Sequence, residues 1–130
     1  MNTNSEEDYL KCLYHLQQGK KSVSTNEIAN YLSMKPSSVS DMLKKLAEKK
    51  CVNYLKYKGS SLTKKGELIA LSVIRKHRIW ETFLVNKLGF SWSKVHNIAE
   101  QLEHVNSEEL IDKLDHFLAY PQIDPHGDPI

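Results

Sequence analysis

His96, Glu100, Glu103 and His104 stand at i, i+4, i+7 and i+8, so a helix running through them carries all four on one stripe. Upstream, His77 and Glu81 form a second i, i+4 pair. Neutral imidazole nitrogens and carboxylate oxygens are the donors that first-row divalent ions take. Two neighbouring helices bearing these residues can therefore assemble metal sites. A single His–Glu pair on a helix is ordinarily a solvated ion pair. The pattern points to ligation because so many donors occur together, beside an apolar face of Ile98, Leu102 and Val105. His15, His116 and His126 lack comparable neighbours and read as surface or loop residues.

The elements that must position these groups are mainly helical. Ser5 as N-cap, with Asp8 at the capping-box position, predicts a helix to Gln18, ended by Gly19. Thr25 caps a short helix packed through Ile28, Ala29 and Leu32. After the break at Ser33-Met34-Lys35, Pro36 opens a third helix that runs to Lys50. Val39, Met42, Leu43 and Leu46 face inward there, while Ser37, Ser38, Ser40, Asp41, Lys44 and Lys45 face outward.

Two helices joined by a short turn, the second small and polar at its start, are the helix-turn-helix pattern, and small hydroxyl residues let that end enter a major groove. Residues 51–57 and 60–63 alternate like two strands around Lys58-Gly59, which predicts a hairpin wing. The residues expected to touch DNA are Lys35, Pro36, Ser37, Ser38, Ser40, Asp41 and Lys44, with Lys56, Tyr57 and Lys58 from the wing.

From Thr63 a long helix is predicted to Leu88, closed by Gly89. Ser91 caps a helix to Val105, Ser107 caps a last one to Tyr120, and the segment from Pro121 reads as a loop. The expected organisation is a winged helix-turn-helix domain over residues 1–63, then a helical metal-binding and dimerisation domain over 64–130. Trp80 and Phe83 widen the apolar surface of the long helix beyond what one domain needs, which predicts a homodimer.

Charge divides along the same line. Residues 1–75 hold 13 Lys/Arg against 7 Asp/Glu, and residues 76–130 hold 5 against 9, for a net charge of +2. A basic first half suits a polyanion, and an acidic second half suits cations or a protein partner. No apolar run approaches the roughly 18 residues of a membrane span, and the polar, acidic first residues do not make a secretory signal. Cys12 and Cys51 have no paired spacing, which points to a reduced, cytoplasmic protein.

Several strings, taken in order, resemble the diphtheria toxin repressor family of iron- and manganese-dependent repressors. They are Glu7-Asp8-Tyr9-Leu10, Lys35-Pro36-Ser37-Ser38-Val39-Ser40, Arg75-Lys76-His77-Arg78 with Glu81, Lys94-Val95-His96, Glu103-His104-Val105 with Ser107, and the closing Pro125-His126-Gly127-Asp128-Pro129-Ile130. The resemblance implies a regulatory metal site of Asp8, Glu100, Glu103 and His104, and an ancillary site of His77, Glu81 and His96. Where the iron-sensing branch carries methionine and cysteine, this chain has Asp8 and Glu100, so Mn²⁺ matches the donors better than Fe²⁺. Lys11 stands where the similar two-metal manganese regulators have a second glutamate, so one or two ions per chain both remain open. Cys12, one turn from Asp8, is either a packed thiol or a soft ligand. Many family members continue through a tether into an SH3-like domain; this chain ends before one, as a short form or a fragment.

The function implied is a metal-activated, non-enzymatic repressor of metal-uptake genes, acting as a homodimer on double-stranded DNA at a palindromic operator. Two other readings stay open. One is a metal-independent winged-helix regulator answering to another ligand or partner. The other is a small carboxylate–histidine metallohydrolase, although no separate nucleophile or phosphate-cradling glycine loop accompanies the donors.

Overall fold

The computed structural model describes residues 2–130, which fall into two compact units, one through Leu71 and one from Ser72 to Ile130. The first unit holds α1 (Asn4–Leu16), α2 (Thr25–Leu32), α3 (Pro36–Glu48), the hairpin of β1 (Val52–Leu55) and β2 (Gly59–Leu62), and the opening turns of α4 (Lys64–Asn86). The second holds the rest of α4, then α5 (Val95–Leu102), α6 (Glu108–Phe117) and a C-terminal segment.

In the first unit both capping boxes sit slightly upstream of the expected residues. Thr3, not Ser5, caps α1: its hydroxyl accepts from Glu6 N at 3.1 Å, and Glu6 accepts from Thr3 N at 2.9 Å. Asp8 is thereby left on the exposed surface of the helix rather than at its cap. Ser24, not Thr25, caps α2 through the same exchange with Glu27. Ser33 ends α2 in the left-handed region, and Pro36 opens α3 at its first position. The short turn between α2 and α3 thus has the expected form. Leu10, Leu13, Ile28, Val39, Leu43 and Leu46 are fully buried behind them. Each such side chain contributes about 1.5–3 kcal/mol by leaving water.

β1 and β2 pair antiparallel from Val52↔Leu62 to Leu55↔Gly59. The wing is pinned close to its turn by residues preceding α2, because Val23 and Ser60 exchange backbone hydrogen bonds of 2.8 and 2.9 Å. Cys12 and Cys51 are both buried in this core. Burial pushes the Cys12 thiol up to about 12, the mark of a packed thiol.

In the second unit Ile79, Ile111 and Leu114 form a small core, with Trp80 and Phe83 packed on it. Ion pairs hold α6 to α4: Arg75 lies 3.4 Å from Asp112 and 3.2 Å from Asp115, and Lys76 lies 3.6 Å from Glu108. α5 is shorter than its sequence suggests. Ser91 does not cap it, residues 92–94 form a turn, and the helix ends at Leu102. The C-terminal segment is an ordered turn. Asp124 Oδ1 accepts from the backbone of His126 and Asp128, Ile130 N donates to Gln122 O, and Arg78 Nη1 on α4 donates to Pro129 O.

Candidate metal centre and nucleic-acid face

On the inner side of α4, His77 and Glu81 are one turn apart and both buried. His77 Nε2 lies 3.3 Å from Glu81 Oε1. α5 brings His96 alongside, its ring centroid 4.9 Å from that of His77. Ligating atoms of His77, Glu81 and His96 all lie within 4.8 Å of one another. The three residues grouped from the sequence therefore converge.

Two further donors reach the same carboxylate from the C-terminal turn. His126 Nδ1 stands 3.1 Å from Glu81 Oε2, and Asp124 also offers an oxygen within 4.8 Å of these atoms. Neither belongs to the ligand sets expected from the sequence, in which His126 reads as a surface or loop residue. It does lie in a loop, but one tied down over Glu81. The usable signal was the ligand-type pair Asp124 and His126 set among Pro125, Gly127 and Pro129, residues that fix a turn.

The hydrogen bonds on the far sides of two rings decide which nitrogen faces the cluster. His126 Nε2 is 2.9 Å from the carbonyl of Trp92, which can only accept, so Nε2 carries a proton and Nδ1 is the nitrogen that faces Glu81. His77 Nδ1 is 2.7 Å from Glu103 Oε1, which leaves Nε2 facing the cluster in the same way. Anchoring one ring nitrogen on a carbonyl or carboxylate is how proteins orient metal-ligating histidines.

Glu81 itself is 2% exposed, and its Oε2 accepts no hydrogen bond. Burial pushes its carboxyl upward. The hydrogen bond and charge of His77, with the charges of His126 and His96, outweigh that and hold it below the ordinary carboxylate range. An ionised carboxylate with an unsatisfied buried oxygen, ringed by imidazole nitrogens that become donors on giving up their protons, fits a divalent transition metal.

The other residues of the sequence-derived sets differ in exposure, with Glu103 and His104 staying side by side. Glu100 is exposed and contacts His96 Nε2 from the next turn of α5. Glu103 is the C-cap of α5, 1% exposed, with its second oxygen 3.8 Å from His104 Nε2. His104 lies half-buried in the turn beyond the helix. Asp8 is exposed on α1 in the first unit.

The residues singled out for DNA all lie in the first unit, nearly all of them exposed. Lys35, Pro36, Ser37, Ser38, Asp41 and Lys44 are exposed at the start and along the outer side of α3, with Ser40 half-buried. Lys56, Tyr57 and Lys58 form the wing tip, where Tyr57 is 93% exposed and Lys56 Nζ lies 5.3 Å from its ring centroid. Ser40 and the wing residues share a cleft of about 480 Å³ with Ser24, Thr25 and Asn26 at the start of α2. Lysines and hydroxyls around one groove suit a phosphodiester backbone.

The chain matches two family descriptions. Residues 1–60 match "Iron dependent repressor, N-terminal DNA binding domain" and residues 63–130 match "Iron dependent repressor, metal binding and dimerisation domain". An uncharacterized HTH-type transcriptional regulator of Methanocaldococcus jannaschii is 37% identical over 117 residues, which cover 89% of this chain and 94% of that protein. A manganese-dependent transcriptional repressor in complex with manganese superposes with a TM-score of 0.87 at 42% identity, covering 96% of this chain. ScaR with bound Zn²⁺ superposes with a TM-score of 0.83 at 40% identity, over the same share. The chain spans 57% and 58% of the lengths of those two proteins. Among the described residues no helix is long and apolar enough to cross a membrane.

Proposed function

We propose, from the premise that this chain belongs to the iron-dependent repressor family, that it is a cytoplasmic regulator whose DNA binding is switched on by a divalent metal, Mn²⁺ being the best match. The observation that carries this reading is the buried Glu81 carboxylate with the imidazoles of His77, His96 and His126 turned toward it. Such a site is costly to build and rewards a cation. All its donors are nitrogen or oxygen, and the buried thiol of Cys12 belongs to the core, so a harder ion than Fe²⁺ is favoured.

The ligand sets proposed are His77, Glu81 and His96 for the ancillary site, and Asp8, Glu100, Glu103 and His104 for the regulatory one. A bound divalent ion supplies the positive charge that lets several carboxylates gather. The chain's own residues do the rest. Glu103 and the carbonyl of Trp92 fix two ring orientations, and Glu81 stays ionised. Asp8 reports the metal to the DNA-binding helices.

DNA recognition is assigned to α3 and the wing. The regulator acts as a homodimer, its two recognition helices entering successive major grooves of a palindromic operator roughly 34 Å apart. Repression of metal-uptake genes follows if metal is the corepressor. The deciding experiment measures binding of the chain to its own promoter DNA at fixed salt, with Mn²⁺, Fe²⁺, Zn²⁺ or chelator. Binding that needs metal and is strongest with Mn²⁺ is expected. Binding unaffected by chelator sinks the reading and leaves a metal-independent winged-helix regulator.

A further inference from the structure

Tyr57 stands at the tip of the wing, 93% exposed, on backbone with φ of +69°. Left-handed backbone is costly for an aromatic residue and cheap for glycine. The core gains nothing from a ring that stands in solvent, so the fold gives no reason for a tyrosine there. The tip is nonetheless held in place. Val23 and Ser60 exchange backbone hydrogen bonds, Ser22 Oγ donates to Lys58 O at 3.2 Å, and Lys58 N donates to Leu55 O at 2.9 Å across the turn. Lys56 Nζ lies 5.3 Å from the ring centroid, and Lys58 follows the tyrosine in the chain. A strained aromatic on an anchored tip, between two cations, points to a contact outside the chain.

The cleft beside the tip indicates which contact. Ser40 on α3 lines one part of it, and Lys56, Tyr57, Lys58 and Gly59 line another. With α3 in the major groove and one phosphodiester strand seated in the cleft, the wing lies across that strand from α3. Across a strand from the major groove is the minor groove. We infer that Tyr57 enters the minor groove and donates its hydroxyl to base edges there, as a specificity-determining residue that favours A·T pairs beside those met by α3. In this groove A·T and T·A pairs offer only acceptors, adenine N3 and thymine O2. A G·C pair adds the guanine amino group, a donor that opposes a hydroxyl donor. The two lysines strengthen the choice, because A·T runs narrow the groove and deepen its negative potential. This inference rests on the functional reading above, in that it takes α3 as the helix in the major groove.

The test is binding of the whole chain, saturated with Mn²⁺, to its own promoter DNA, scanned pair by pair with A·T, G·C and inosine·C. Inosine lacks the guanine amino group. Inosine·C therefore looks like A·T from the minor groove and like G·C to hydrogen-bonding groups in the major groove. Under the wing, wild type should bind A·T and inosine·C alike and G·C about tenfold more weakly, within the cost of one mismatched pair. Replacing A·T there by 2,6-diaminopurine·T, which puts the amino group back, should cost the same. Tyr57→Phe keeps the ring and removes only the donor. It should bring this ratio to near one, while positions read by α3 keep their preferences. Tyr57→Gly should do likewise with a urea midpoint no lower than that of wild type, which separates the loss from any damage to the fold.

A scan in which inosine·C nowhere follows A·T, or an unchanged ratio in Tyr57→Phe, overturns the inference while Mn²⁺-dependent binding through α3 stands. A ratio lost in Tyr57→Gly but kept in Tyr57→Phe assigns the effect to the ring, and also overturns the hydroxyl's role. Promoter DNA left unbound at every metal concentration removes the DNA-binding reading, and the inference falls with it.

Discussion

Lys49, the C-cap of α3, places its Nζ 2.7 Å from Glu6 Oε2 and 3.0 Å from Oε1, tying the first turn of α1 to the end of the helix proposed to read DNA. Glu6 is 1% exposed and Lys49 38%. Lys49→Met leaves a buried carboxylate without its partner. Breaking one side of a fully buried pair costs about 3–5 kcal/mol, and solvent around Lys49 reduces that, so about 2 kcal/mol is expected in urea unfolding. Burial pushes the Glu6 carboxyl up, but the hydrogen bonds from Lys49 and Thr3 and the Lys49 charge bring it below its ordinary 4.5. A carboxyl lowered in the folded state stabilises above that ordinary value, and the benefit fades as pH falls below it. The gap between wild type and Lys49→Met should therefore close in acid. A gap equally wide at about pH 7 and about pH 3 rules out the charge as its cause.

The wing tests the packing argument without touching a charge. Gly59 has φ of +96°, and a Cβ built there lies 2.7 Å from Val23 O, the carbonyl that accepts from Ser60. Gly59→Ala therefore strains the turn and pushes the wing from its anchor, at about 1–3 kcal/mol. DNA affinity should fall while the metal sites of the second unit keep their affinity. Mn²⁺ titration and DNA binding on the same sample separate the two, and an unaltered DNA affinity means the wing does not touch DNA.

Lys44 on α3 and Lys58 on the wing are exposed, so their removal costs the fold little. Lys44→Ala and Lys58→Ala should each weaken binding to every sequence and reduce the salt slope by about one phosphate contact. Ser37→Ala or Asp41→Ala should instead alter which base pairs are preferred. Salt-dependent binding curves on operator and scrambled DNA measure both effects. Identical slopes in wild type and both lysine variants would falsify this docking face.

Glu81→Gln keeps the shape of the cluster and removes its charge. Mn²⁺ affinity should fall at least tenfold, the scale set by losing a ligand's supporting partner. The sign with pH follows from the lowered Glu81 carboxyl. Its ionised form stabilises the metal-free fold at neutral pH, and that contribution disappears as acid protonates it. Thermal unfolding with chelator should show Glu81→Gln less stable than wild type near neutrality and equal to it in acid. Equal Mn²⁺ affinity in the two proteins excludes Glu81 as a ligand.

Much of this was legible because it depends on short-range chemistry. The α2–turn–α3 unit follows from Pro36 and from the inward set Val39, Leu43 and Leu46, and the i, i+4 spacing of His77 and Glu81 holds in any helix. Boundaries slipped where two capping patterns overlap. Thr3…Glu6 and Ser5…Asp8 have the same spacing, and only the surrounding packing chooses between them. The early end of α5 could not be read from periodicity, since residues 103 and 104 continue the helical pattern after the backbone has left it. His126 lay further out of reach. Its place at Glu81 depends on Asp124 closing the C-terminal turn and on Arg78 holding Pro129, which are contacts between distant parts of the chain.

The proposed switch is best tested at Asp8, the one proposed ligand outside the second unit. It is exposed on α1, where a carboxylate has little to do for the core, so Asp8→Ala should leave the fold and its urea midpoint unchanged. Metal should still bind in this variant through Glu100, Glu103 and His104, more weakly for want of one oxygen. DNA binding, however, should no longer rise with Mn²⁺, because an ion that does not engage α1 has equal affinity for the DNA-competent and incompetent states and shifts neither. Glu103→Gln and His104→Ala should lose both the ion and the response. Softening the donors with Asp8→Met and Glu100→Cys should move the preference from Mn²⁺ towards Fe²⁺. The measurement is operator binding titrated with each metal, alongside direct counts of bound ion. If Asp8→Ala binds operator with the same Mn²⁺ dependence as wild type, metal reaches the DNA-binding helices by another route.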